Sequence, residues 1–114
     1  MDLNYYTLLI FAPILVVVGV AGFLLPADKS LTSGAPAYNI FHIFFGILGV
    51  TLVLAAGHTV AVRGFNIAFG LIDLYQAAAS ALALFPSGLF RWKRADDVLH
   101  VVVGFALMLI GCFG

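Results

Sequence analysis

The chain has 114 residues, of which 64% are hydrophobic and 9% charged, with a net charge of zero. Soluble domains carry about 25% charged residues, so a water-exposed globule is excluded and lipid is the expected solvent. The neutral balance and the lack of any basic run exclude nucleic acid as a partner. All five acidic residues are Asp, with no Glu. Carboxylate-rich catalysis therefore has little to draw on.

A membrane-crossing helix needs about 20 mostly apolar residues, and four stretches meet this: 5–25, 37–56, 64–85 and 95–113. The expected fold is all-α, a four-span bundle forming one domain over 1–114. The first span carries Asp2 where a signal peptide carries Lys or Arg, so it is read as a retained helix. Pro13 lies inside it and frees a backbone carbonyl, which predicts a kink or a shifted start. Pro26 and Pro36 bracket the first loop, and Gly57 and Gly64 the second. Pro86 and Gly88 open the third. Lys29, Arg91, Lys93 and Arg94 fall in loops one and three, and Arg63 beside loop two. Positive residues favour the cytoplasmic side. Loops one and three are expected on the cytoplasmic side of an inner (plasma) membrane, with both termini on the outer side. Trp92, Tyr5, Tyr6 and Tyr38 fall near span ends, where interfacial aromatics gather.

The second and fourth spans open on a shared pattern. Asn39, His42 and Gly46 map onto Asp97, His100 and Gly104 with a constant offset of 58, and Pro26 maps onto Pro86 with an offset of 60. This reads as two helical hairpins in tandem, with a pseudo-twofold axis along the membrane normal. Asn39 and Asp97 suit the first turn, where a side-chain oxygen accepts backbone N–H bonds. The histidines follow three residues later, and the glycines lie one turn deeper on the same stripe.

These residues resemble a family of small bacterial four-helix membrane proteins that carry a domain of unknown function. The likeness rests on N39IFHIFFG46 and D97VLHVVVG104, the latter preceded by Ala95-Asp96. It spans the whole pattern of helices and implies a four-helix membrane fold without a settled activity.

The plainest role for His42 and His100 is structural: each bonds Asn39, Asp97 or a loop carbonyl and ties the hairpins together. The glycines then let helix backbones approach. A second role is ligation of haem, chlorophyll or a metal, because a neutral imidazole binds such centres while its other nitrogen seeks a partner. Phe41, Phe44, Phe45 and Phe105 would pave the surface of such a macrocycle. Asp73 raises a third role, since a carboxylate in mid-span costs several kcal/mol if left bare. It could carry protons or ions, with Tyr75, Gln76, Asn66 and Gly70 nearby on the helix. Counted along the helix at about 1.5 Å per residue, Asp73 is expected a dozen ångströms or more below the histidines.

His58 is expected at the interface, and Cys112 as a packed hydrophobe. Gly19, Gly22, Gly49 and Gly111 extend the small-residue stripes. No hydrolase triad, HExxH or phosphate loop is present, so no enzyme is expected. So small an apolar chain suits a non-catalytic accessory subunit that braces helices and lipid or pigment. Its natural host is a larger bioenergetic or photosynthetic membrane complex, and its partners are the bilayer and other subunits.

Overall fold

The computed structural model describes residues 3–26 and 29–114. Asp2, on which the reading of the N-terminus rests, and Asp28 lie outside them. Four long helices make up the fold: α1 (Leu3–Leu24), α2 (Pro36–Ala56), α3 (Val60–Leu82) and α5 (Arg94–Phe113), with a single turn, α4 (Ser87–Phe90), before the last. Each long helix has the length and apolarity to cross a membrane.

The helix ends explain the departures from the expected boundaries. α1 runs without interruption through Pro13 from Leu3, so the shifted start does not occur. Gly57 ends α2 at φ 57°, a backbone conformation that glycine adopts without a Cβ penalty. Thr59 then sits extended and α3 restarts at Val60, which leaves Gly64 inside the helix instead of bounding a loop. At its other end α3 stops at Leu82, three residues short of the expected 85. Ala83 turns left-handed, and the Leu84 N–H returns to the Ala79 carbonyl at 2.9 Å. Pro86 cannot continue a helix, so the chain turns before reaching it.

The helices pack as two antiparallel hairpins, α1 with α2 and α3 with α5. Glycines set both close approaches. A Cβ placed on Gly46 would lie 2.9 Å from the Ala12 carbonyl and 2.6 Å from Val16 Cγ2. One placed on Gly104 would lie 3.0 Å from the Gly70 carbonyl and 2.9 Å from Leu74 Cδ2. In these two contacts the corresponding residues are 58 apart: 12 and 70, 16 and 74, 46 and 104.

Inside and outside are inverted relative to a soluble protein. Ile10, Val17, Leu54 and Phe105 face outward, while Asn4, Asn39, Asn66, Asp73, Gln76 and Asp96 are buried. Such an interior is stable when its polar groups find each other and the outer surface meets hydrocarbon. The Asn66 amide accordingly donates to the Asn4 backbone and side-chain oxygens at 3.2 and 3.1 Å, joining α3 to α1.

At the end away from the loops that join each hairpin, Arg63 donates to the carbonyls of Gly111 and Cys112. These are among the C-terminal carbonyls of α5 that lack a helical partner. Arg63→Ala is expected to cost about 0.5–1.5 kcal/mol and to speed amide hydrogen exchange in the last turn of α5 alone. Uniform faster exchange along α5 would count against this role. His58 stacks on Tyr5 with ring centroids 4.0 Å apart, and Cys112 is exposed, not packed.

Candidate functional site

The loops of the two hairpins interlock at one end of the bundle, and Asp96 is the knot. Its Oδ2 accepts the backbone N–H of Lys93 at 2.8 Å, which caps the start of α5. The same oxygen accepts the N–H of Ser33 in loop one at 2.7 Å. Ser33 Oγ donates to the Phe90 carbonyl, and Lys93 Nζ to the Ser30 carbonyl at 2.7 Å. The cap expected from Asp97 does not form. That residue is only partly buried and its Oδ1 has no partner, because it lies one position too far round the helix to face Lys93 N–H and loop one. Asn39 does not cap α2 either. It packs over Gly22, where a Cβ would collide with it, and its Nδ2 donates to the Gly34 carbonyl at 3.0 Å.

Beneath this knot the hairpins leave a cavity of about 160 Å³ between them. His42, His100 and Asp73 all line it, together with Tyr38 and Asp96. The gap of a dozen ångströms expected between Asp73 and the histidines is therefore not found. That expectation takes α3 to run on toward Pro86. Because α3 stops at Leu82, Asp73 is nine residues from its end, while His100 is six residues into α5. The difference corresponds to about one helical turn in depth.

The histidines are held by an aromatic neighbour, not by the polar residues of their own motifs. Tyr38 Oη and His100 Nε2 are 2.8 Å apart, a bond that crosses from α2 to α5. Tyr38 also leans on the His42 ring at a centroid distance of 4.2 Å. Both histidines keep a buried Nδ1 with no hydrogen-bond partner. Asp73 Oδ1 accepts from Gln76 Nε2 at 3.2 Å, and Gln76 Oε1 accepts from the Trp92 indole at 3.1 Å. The Trp92 ring meets His100 edge-on at 6.2 Å.

Tyr38 and Trp92, expected only as belt aromatics, both belong to the site. Tyr38 precedes His42 by four residues, the spacing of neighbours on one helix face, and that spacing is the signal the sequence offers. Asp96 lies three residues after Lys93, the reach of an N-terminal cap. For Trp92 the sequence offers no comparable cue, because it lies in the loop before α5 and its partner Gln76 on α3.

Pairs of residues 58 apart line the cavity. Phe11 pairs with Phe69, Leu15 with Asp73, Tyr38 with Asp96, and His42 with His100. Phe11 and Phe69 touch, with centroids 5.7 Å apart. Phe41, Phe45 and Phe65 pack against Phe69 and Leu15.

The cavity matches a single six-membered ring, since a cavity of about 150 Å³ holds benzene. A tetrapyrrole is larger than this volume. Phe44 and Phe105, expected to pave a macrocycle, face outward. Among the described residues no group of three or more His, Cys, Asp or Glu side chains is placed to hold a metal ion. No protein-family model, curated protein or solved structure matches the chain.

Proposed function

We propose that this chain is a multi-pass membrane protein whose function is to bind a small ligand, without catalysis, in the cavity between its two hairpins. The observation that carries this reading is the convergence of His42, His100, Tyr38 and Asp73 on one cavity, with two imidazole nitrogens left unpartnered. An unpartnered buried polar atom costs about 1–3 kcal/mol and calls for a reason, of which a bound guest is one.

The reading includes a tandem origin for the hairpins. It is supported by the shared offset of 58 in the motifs, in the glycine contacts and around the cavity. It also includes insertion in an inner membrane with loops one and three cytoplasmic. The supports for that are the apolar exterior and the placing of Arg91, Lys93 and Arg94 at the knotted end. Membership of the small bacterial four-helix family is carried by the two motifs alone. The accessory-subunit role stands beside ligand binding as a second reading. Outward-facing Phe44 and Phe105 favour it, because they would suit partner helices as well as lipid.

The test is occupancy by a plain ring. Toluene is expected to raise the unfolding midpoint of the protein in detergent, since a ligand at 100 times its Kd stabilises by about 2.7 kcal/mol. Val103→Phe, which fills the cavity from α5, is expected to abolish the shift. A shift of equal size in both proteins would reflect the micelle and sink the reading. For the second reading, mild extraction from native membranes followed by size separation decides: a small free particle counts against a subunit role.

A further inference from the structure

On the reading that the inter-hairpin cavity is a ligand site, we infer that it takes the head ring of a membrane-dissolved quinone. Three features select this class.

The first is access. The mouth of the cavity lies between α1 and α5, rimmed by Ile14, Val18 and Leu99, which are 50%, 37% and 48% exposed. An apolar rim on the lipid-facing side admits a guest from the bilayer and lets an apolar tail stay outside. A ligand entering from water would need a path through the knotted loops, where Asp96, Ser33 and Lys93 close the end of the bundle.

The second is size and shape. About 160 Å³ takes one ring, and Phe11, Leu15 and Phe69 give it an apolar lining. The bulky head of a phospholipid does not fit. No Lys or Arg lines the cavity, so nothing there would neutralise a phosphate.

The third is polarity. The imidazoles of His42 and His100 stand near the knotted end, and the Asp73 carboxyl about one turn deeper. A quinone ring carries oxygen on opposite edges. Its carbonyl accepts a hydrogen bond from an imidazole N–H. The hydroxyl of the reduced form donates to an imidazole lone pair or to the carboxyl. An imidazole can take either part, so both forms of the ring are satisfied. A pure hydrocarbon ring would leave both Nδ1 atoms orphaned.

Trp92 is the only tryptophan of the chain and lies edge-on to His100, so it reports on the cavity. The experiment titrates detergent-solubilised protein with a decyl-tailed benzoquinone and follows Trp92 fluorescence. A tryptophan octyl ester in the same micelles measures quenching by quinone that is merely dissolved. The expected result is saturable quenching, with half-saturation raised at least tenfold in His42→Leu and in Val103→Phe and unchanged in Gly64→Ala. Folding of each variant is checked by circular dichroism and elution volume. If His42→Leu fails to fold, Val103→Phe decides alone, since it fills the cavity without removing a polar group. Saturable quenching that survives Val103→Phe would place the quinone elsewhere and overturn the inference. Quenching that only follows the octyl ester, while toluene still stabilises the protein, would overturn the quinone and leave the ligand site standing. Quenching of that kind with no effect of toluene would remove both.

Discussion

Asp96→Ala is expected to cost about 2–6 kcal/mol, because it leaves two backbone donors without an acceptor at about 1–3 kcal/mol each. Asp96 is 1% exposed, and its Oδ2 takes the N–H of Ser33 at 2.7 Å and that of Lys93 at 2.8 Å. One donor starts α5 and the other belongs to the loop of the opposite hairpin. Losing them therefore frays a helix and unties the hairpins together. Asp97→Ala is expected to change stability by less than about 0.5 kcal/mol, the usual range for substitutions away from such features. The measurement is the midpoint of SDS-induced unfolding in mixed micelles for both variants. Equal midpoints would show that the knot does not depend on Asp96.

The second large effect is expected at the glycines within each hairpin. In Gly46→Ala the new methyl would lie 2.7 Å from the Val16 backbone nitrogen and 2.9 Å from the Ala12 carbonyl. Backbone atoms cannot swing aside as side chains can. α1 and α2 must separate, at a cost of about 1–3 kcal/mol or more. Gly104→Ala faces the Gly70 carbonyl at 3.0 Å, and a similar loss is expected between α3 and α5. Since the two contacts lie in different hairpins and share no partner, the double variant is expected to lose close to the sum. Gly64 supplies the contrast. It lies inside α3 with nothing within 4 Å of where a Cβ would stand, so Gly64→Ala is expected to gain about 0.5–1 kcal/mol from helix propensity. The same SDS titration ranks all four proteins. A gain at Gly46 or Gly104 would mean that the helices do not approach as closely as described.

The positions of these glycines bear on how the two hairpins meet. Each hairpin closes on itself through a glycine contact, and the two then meet through aromatic rings and a few polar bonds. The meeting surface is therefore looser than either hairpin, and the cavity opens there. The two hairpins differ at corresponding positions: Asp73 stands where the first hairpin has Leu15, and Asp96 where it has Tyr38. These differences give the cavity its distinct polar groups.

Much of the architecture is legible in the sequence. Four runs of about 20 apolar residues, separated by Pro and Gly, specify four helices, because in hydrocarbon a spanning chain must satisfy its own backbone. The motif of polar residue, His and Gly marks two of the helices that border the cavity, and His42, His100 and Asp73 stand out as polar groups in apolar runs. What each polar residue bonds to is not legible. Asp96 and Asp97 are adjacent and identical in type, and only the rotation of α5 against loop one decides which of them caps. Tyr38 reads as an interfacial aromatic until α2 and α5 are brought together and its hydroxyl finds His100. Asp73 reads as remote until α3 is seen to end at Leu82. Local pattern determines which segments become helices and which face is polar, since those depend on neighbours three or four residues away. Partners drawn from different helices depend on the crossing and relative depth of whole elements, and these are decided only when the two hairpins pack.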